Sequence, residues 1–195
     1  GLMHDAAHEA LSDVRATIAL ARLVRERQPK LWEFCLKLRK KDAVWAEIGT
    51  GEPRPFLHVS GMFPAERGCL AVVMPLGLHP VNKNELIVWD LASDPGELAG
   101  LDAATIRGRL FVHADELPEG VTRLPIKTIH VNKSPVVIGN LRTLSPDIAE
   151  RWGIDLDQAV ERAHALSRES LPSKRTWTEV FERPAPETAP DVDED

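Results

Sequence analysis

A repeating stripe of apolar residues marks the first predicted helix. Apolar side chains recur at intervals of three and four residues, at Leu11, Val14, Ile18, Ala21 and Val24. This spacing is typical of one face of a helix, so the pattern predicts a helix over residues 10–26. Pro29 ends that helix or begins the next one. A dense apolar run over residues 31–38 then predicts a short, well-buried second helix.

After residue 43 the pattern changes to short runs that are typical of β-strands. Glycine and proline separate these runs, which lie at 44–48, 56–59, 70–74, 86–91, 124–130 and 136–138. Several short strands at this spacing indicate a small barrel. Residues 102–110 predict a helix inserted in it, with Asp102 as the N-cap.

The last third of the chain predicts helices and then a linker. Ser145 and Pro146 open a helical region, residues 155–167 carry one apolar side, and Trp177, Val180 and Phe181 suit a last amphipathic turn. Residues 184–195 are rich in proline, alanine and acidic residues, which is typical of a linker. The expected fold class is therefore α+β: an N-terminal helical piece, a small bent antiparallel sheet with an inserted helix, and C-terminal helices.

Composition and charge limit the classes of function. The chain has 195 residues, of which 43% are hydrophobic, so one or two packed domains are expected. A formal net charge of −6 argues against a protein that coats nucleic acid through a generally basic surface. Charge is uneven, however, because residues 22–41 contain eight basic and two acidic residues. A solvated helix face and a phosphate-binding surface explain this basic run equally well.

The cysteines and the hydropathy pattern indicate a cytoplasmic protein. Cys35 and Cys69 are far apart, which fits neither a disulfide framework nor a zinc knuckle, so two reduced and mostly buried thiols are expected. Membrane-spanning helices need about 20 consecutive apolar residues, and the sequence has no such run.

His8 and Asp13 are the candidate catalytic pair. A carboxylate on a helix can ligate a hard cation. A histidine in the preceding loop can take a proton from water that the cation polarises. The plainer interpretation is that Asp13 stabilises the positive start of a helix and His8 is an exposed terminal residue, and the spacing alone favours it. A two-metal site also needs several carboxylates, and only Asp5 and Glu9 are close in sequence.

Four stretches, in the same order, resemble bacterial exodeoxyribonuclease I. Residues 7–19 (AHEALSDVRATIA), followed by RQPKL at 27–31, resemble its third exonuclease motif; the others are HVSGMF at 58–63, HPVNKN at 79–84 and HVNKSPV at 130–136. The likeness covers nearly the whole chain. For His8 and Asp13, this likeness favours the catalytic interpretation over the plainer one that the spacing alone favours.

The resemblance implies a fold, an activity and a cofactor. The family degrades single-stranded DNA from the 3′ end to 5′-mononucleotides with magnesium, in DNA repair and recombination. By this likeness residues 1–28 end a ribonuclease H-like exonuclease domain, 29–183 form an SH3-like barrel domain with helices, and 184–195 are an acidic, proline-rich linker. Asp13 is then the last metal-binding carboxylate and His8 the general base. The family's first two acidic motifs have no counterpart here, so the two-metal Mg²⁺ site is incomplete and the chain alone is expected to be inactive.

Lysine and asparagine residues in or beside these motifs are the candidate DNA contacts. Both side chains reach phosphate oxygens, which suits sequence-independent binding of a single strand. The candidates are Lys41, Lys83, Asn84, Lys127, Asn132 and Lys133. Each lysine is explained equally well as a solvated side chain, and Asn84 and Asn132 also suit turns. His58, His79 and His130 are expected to be buried and hydrogen-bonded, not metal ligands.

The resemblance also implies docking of the C-terminal tail of single-stranded DNA-binding protein. Such an acidic peptide with an apolar end needs an apolar pocket ringed by cations, which points to Phe34 or Trp32 as the lining of the pocket and to Arg54 on its rim. A core position in the second helix is an equally good interpretation of both aromatic residues. Two further hypotheses remain open: a barrel that binds single-stranded DNA or protein without catalysis, and a purely structural domain. A monomer without a membrane partner is expected.

Overall fold

The computed structural model describes residues 2–182; for residues 2–10 and 114 it describes the backbone alone. This part of the chain forms seven α-helices and five β-strands. They are α1 (Leu2–Arg27), α2 (Pro29–Lys37), α3 (Lys41–Ile48), β1 (Phe56–Val59), β2 (Leu70–Leu78), β3 (Glu85–Asp90), α4 (Ala103–Phe111), β4 (Ile126–His130), β5 (Val136–Ile138), α5 (Pro146–Arg151), α6 (Leu156–Arg168) and α7 (Lys174–Phe181). The predicted linker at 184–195 lies outside the described residues.

The five strands form one antiparallel sheet in the order β4-β3-β2-β1-β5. Its two edge strands, β4 and β5, are consecutive in the chain and are joined by residues 131–135. The register shifts between Pro75 and Gly77 in β2, and such a bulge bends a strand. This bent antiparallel sheet with helices packed on it confirms the α+β expectation.

Apolar residues line both faces of the sheet. Alternate residues of β3 point to opposite faces, so Leu86 and Val88 join one buried cluster and Ile87 and Trp89 join another. The first cluster includes residues of α3, and the second includes residues of α4, α6 and α7. The sheet is thus sandwiched between two helical layers.

The predicted N-cap of the inserted helix is confirmed. The Asp102 carboxylate accepts a hydrogen bond from the Thr105 backbone N–H at 2.8 Å. The hydrogen bond with Thr105 lowers the pKa of this carboxyl from its ordinary value. Most of the predicted elements agree with the structure to within a few residues at each end, as expected for boundaries taken from patterns alone.

Three local predictions are wrong. The second helix, α2, is not well buried: Leu31 and Leu36 are exposed (48% and 37%), and no residue within α2 is buried. Residues 44–48, expected as a strand, belong to helix α3. Val44 and Ile48 are four residues apart and both are buried, so they share one helical face; a short apolar run fits either structure. The first helix begins at Leu2, so His8 lies within it and not in a preceding loop.

Helix α1 is largely exposed along its apolar stripe. The side chains of Leu11, Val14 and Ile18 are about half exposed (45%, 54% and 46%), while Ala21 and Val24 are partly buried. Its main contacts are with α2. Within residues 2–182, no helix is both long and apolar enough to cross a membrane.

Candidate nucleic-acid interface

Two loops at one end of the β3–β4 hairpin bring together most of the predicted DNA contacts. Residues 79–84 precede β3 and residues 131–135 follow β4. Because Glu85 pairs with His130 across the two strands, both loops emerge at the same place. The backbone N–H of Val131 donates to the Asn84 carbonyl at 2.9 Å. We call the exposed or partly exposed set on these loops the loop cluster: Lys83, Asn84, Asn132 and Lys133.

Helix α3 contributes a fifth predicted residue to this surface. The Nζ atom of Lys41, at the start of α3, donates to Oδ1 of Asn84 at 2.7 Å. The two residues are 43 positions apart in sequence, so the fold creates this contact. Lys41 is exposed, and its ammonium therefore remains open to an anion from solvent.

Lys127 lies apart from the loop cluster. It is in the middle of β4 opposite Val88 and is half-buried. Asn132 is five residues further along the chain, which corresponds to roughly 17 Å for an extended strand. Lys127 therefore shares the sheet edge with the cluster but not its loops.

Asn84 and Asn132 both lie in turns, in agreement with the turn interpretation, but neither adopts the left-handed conformation. Among the described non-glycine residues, positive φ angles occur at Cys69 (54°) and Ser134 (51°). Asn84 is instead oriented by Lys41, and Asn132 is exposed in its loop. Cys69 and Cys35 are both free and half-buried, less buried than expected.

A largely buried glutamate lies between the two loops, and the sequence pattern carries no signal for it. Glu85 Oε1 lies 2.8 Å from Nε2 of His130 and accepts a 3.2 Å hydrogen bond from Nδ2 of Asn82. Glu85 Oε2 lies 3.7 Å from Nε2 of His79. Nδ1 of His79 accepts the backbone N–H groups of Val81 and Asn82, which leaves its proton on Nε2, facing Glu85. His79 thus accepts hydrogen bonds within its own loop, and His130 faces the Glu85 carboxylate; both side chains are half-buried, less than expected.

His58 is the third histidine, and it is buried in β1. Its Nδ1–H donates to the Val136 carbonyl at 3.0 Å, which joins β1 to the strand that follows the 131–135 loop. Burial disfavours the charged imidazole and lowers the pKa of His58, although the hydrogen bond to Val136 partly opposes this.

Because the pKa of His58 is lowered, we expect the protein to lose stability in mild acid. Below the ordinary imidazole pKa of about 6.5, this side chain takes up a proton in the unfolded chain but stays neutral in the folded chain. The free energy of unfolding therefore decreases as the pH falls below that value. We expect the urea midpoint of unfolding to drop between about pH 7.5 and about pH 5.5, and His58→Gln to reduce that drop. The control is His164→Gln, at an exposed position of α6. An identical pH dependence in wild type and His58→Gln would contradict the assignment.

The two residues predicted to dock a protein tail lie near α2 and α3. Phe34 is half-buried and packs against the cluster on the α3 side of the sheet. Arg54 binds the end of α3: its Nε donates to the Ile48 carbonyl and its Nη2 to the Glu47 carbonyl, each at 3.3 Å. A cation at a helix C-terminus is favoured by the helix dipole. Arg54 is exposed, so its guanidinium is also accessible from solvent.

His8 and Asp13 share α1 but not one face of it. Their backbone positions are five residues apart, which is about 140° around a helix axis. Asp13 is exposed, and its backbone carbonyl accepts a hydrogen bond from Thr17 Oγ1 at 2.8 Å. Among the side chains that the structure describes, which do not include those of residues 2–10 and 114, no three His, Cys, Asp or Glu converge on a metal-sized site.

Known proteins match both the sequence and this geometry. Residues 39–183 match the model of the exonuclease I SH3-like domain. Exodeoxyribonuclease I of Escherichia coli (strain K12) is 38% identical over 191 residues, covering 98% of this chain and 40% of that protein. Exonuclease I from Methylocaldum szegediense gives a TM-score of 0.80 at 45% identity, over 88% of this chain and 36% of that one.

A third match is the zinc-bound form of the E. coli exonuclease I complex with single-stranded DNA. It gives a TM-score of 0.79 at 37% identity, over 92% of this chain and 38% of that one. The chain thus spans about two fifths of the length of these relatives. Since the domain model covers the whole sheet and the helices around it, the chain belongs to the exonuclease I SH3-like domain family.

Proposed function

We propose that this chain is the DNA-binding part of an exonuclease that degrades single-stranded DNA from the 3′ end to 5′-mononucleotides. The observation that carries the proposal is the convergence of Lys41 with the loop cluster, through the 2.7 Å bond from Lys41 to Asn84. The matching E. coli exonuclease I complex contains single-stranded DNA, which supports it. We assign the intact protein to DNA repair and recombination in the bacterial cytoplasm, as a monomer.

The chemistry of the loop cluster suits a phosphate backbone. Residues 79–84 and 131–135 contain no acidic residue, and Glu85, which lies between the histidines, is largely buried. Lys41, Lys83 and Lys133 can each replace a counterion at a phosphate, while the asparagine amides donate hydrogen bonds to phosphate oxygens. None of these contacts depends on base identity, so the binding is independent of the DNA sequence. Lys127 would extend the same cationic edge.

Replacing both loop lysines tests whether the loops bind the phosphate backbone. We expect Lys83→Gln combined with Lys133→Gln to weaken binding of the chain to oligo(dT) roughly tenfold at low salt, because two phosphate contacts are lost. Fluorescence anisotropy of a labelled oligonucleotide measures the effect. The control is Arg168→Gln combined with Lys174→Gln, which removes two exposed charges on α6 and α7. Equal losses in both double variants would refute a specific role for the loops.

For the chemical step we propose the roles that the motif implies: Asp13 as one metal-binding carboxylate and His8 as the general base, with Mg²⁺ as the cofactor. Residues 1–28 would then belong to the exonuclease domain and 29–183 to the barrel domain, with 184–195 as linker. The support is the motif at residues 7–19 and its position on a continuous helix. The zinc ion in the E. coli relative supports a metal requirement for that enzyme.

We also propose that Phe34 and Arg54 receive the acidic C-terminal tail of single-stranded DNA-binding protein. An exposed guanidinium at the end of α3 suits a peptide carboxylate, and a half-buried aromatic ring on α2 suits an apolar side chain. Arg54→Glu is expected to weaken binding of a synthetic tail peptide roughly tenfold, since it reverses the charge at the site. Arg54→Lys, which keeps the charge, should weaken it less. Unchanged peptide affinity in Arg54→Glu would disprove the assignment.

A second candidate function is a binding module without catalysis. It is favoured by one observation: Lys41 and the loop cluster form a DNA-binding surface within the described residues without any residue of the catalytic motif. The two proposals differ in the intact protein, which would either cleave DNA or only hold it. For the 195-residue chain by itself they predict the same behaviour, which is binding without hydrolysis.

A further inference from the structure

An apolar pocket opens between α3 and the end of β2, beside Lys41. Its volume is about 750 Å³, within the range of small-molecule sites. Trp45, Pro53, Pro75, Leu78 and Leu86 supply apolar surface, and Asp42 supplies one carboxylate. Trp45 is half-buried: it packs against the core cluster and also lines the pocket.

The pocket adjoins the proposed phosphate contacts on both of its sides. On α3, Lys41 and Trp45 are four residues apart and so lie on one helical face, about 5–6 Å between Cβ atoms. On the sheet, Leu86 pairs with Leu78 across β3 and β2, and Asn84 is two residues before Leu86. The Lys41–Asn84 hydrogen bond therefore joins α3 to the loop that leads into β3, and both α3 and β3 contribute residues to the pocket.

We propose that this pocket receives an unstacked nucleobase of the single strand whose phosphate is held by Lys41. The inference rests on the proposed function and deepens it. A strand bound without base readout is held by stacking as well as by charge, and every base offers a flat face to an aromatic ring. With a phosphate at Lys41, the base of the same nucleotide lies within reach of Trp45.

The charge of the pocket favours a base over other occupants. The Asp42 carboxylate lines the pocket and repels anions, so a phosphate or an acidic peptide is disfavoured inside it. A nucleobase is neutral, and its ring suits the tryptophan and proline surfaces. Lys41 at the rim thus suits the phosphate of a nucleotide, and the apolar interior with its one carboxylate suits the neutral base.

An oligomer without bases separates stacking from charge. We would measure Kd of the 195-residue chain for oligo(dT) and for an abasic oligomer of equal length. Wild type should bind oligo(dT) roughly tenfold more tightly. Trp45→Ala and Leu78→Gln should weaken oligo(dT) binding towards the abasic value and leave abasic binding unchanged. Leu78 is 53% exposed, so its substitution spares the core; Ile148→Gln, 39% exposed on α5, is the control.

The outcomes distinguish this inference from the proposed function. Two results would overturn the nucleobase pocket but not the proposed phosphate contacts. One is equal wild-type affinity for the two oligomers; the other is a ratio of the two Kd values that neither Trp45→Ala nor Leu78→Gln changes. An absence of salt-sensitive binding to either oligomer would overturn the proposed function, and the nucleobase pocket with it.

Discussion

The purified 195-residue chain is expected to release no 5′-mononucleotides from single-stranded DNA in the presence of magnesium. Two-metal hydrolysis needs several carboxylates around the ions. Asp13 is the one carboxylate of this chain that the motif assigns to metal binding, which is too few for such a site. Release of nucleotides from a labelled oligo(dT) measures the activity.

Binding and a positive control make the absence of activity informative. The same preparation should bind the same oligonucleotide, which shows that the chain is folded. Intact E. coli exodeoxyribonuclease I, the relative that matches 98% of this chain, serves as the active reference. Magnesium-dependent release by the chain that disappears in Asp13→Asn would contradict the expectation and would locate a working site on α1.

Asp90→Ala is expected to destabilise the fold by about 3 kcal/mol, because it leaves a partly buried cation without its partner. Asp90 lies in β3 and is 6% exposed. Its carboxylate accepts two hydrogen bonds from Arg67, from Nη2 at 2.7 Å and Nη1 at 3.3 Å, and a third from the Ala92 backbone N–H at 3.0 Å. Removing it deprives all three donors of their acceptor.

Urea unfolding of matched variants measures this effect. Glu179→Ala breaks the exposed pair of Glu179 with Arg175 on α7, in which Nε and Oε1 are 2.9 Å apart. Exposed pairs four residues apart on a helix contribute about 0.3–0.5 kcal/mol, so this control should scarcely move the midpoint. If Asp90→Ala and Glu179→Ala shift the midpoint equally, the buried pair does not stabilise the fold as described.

The strands and caps could be predicted because their causes are local. Short apolar runs between glycine and proline predict β1 and β5, and a residue type that suits helix starts predicts the cap at Asp102. Helix α3 was missed because its cause is not local. Val44 and Ile48 belong to the buried face of a helix that packs on the sheet, and a five-residue, mainly apolar segment is too short for its spacing to distinguish a helix from a strand.

The site was predictable as a set of residues but not as an arrangement. The motifs at 79–84 and 130–136 named the loop cluster, yet only the pairing of Glu85 with His130 places the loops together. Strand register depends on tertiary packing, which a single sequence does not display. The same holds for the Lys41–Asn84 bond and for the pocket at Trp45, whose residues are contributed by α3, the segment that follows it, β2 and β3.

The salt dependence of DNA binding tests the central claim most directly. For a single strand, the slope of log Kd against log salt concentration rises by about 0.7 for each phosphate neutralised. The combined variant Lys41→Gln, Lys83→Gln and Lys133→Gln should therefore lower the wild-type slope by about 2. A wild-type affinity that does not change with salt, or a slope that the three substitutions leave intact, would contradict the account.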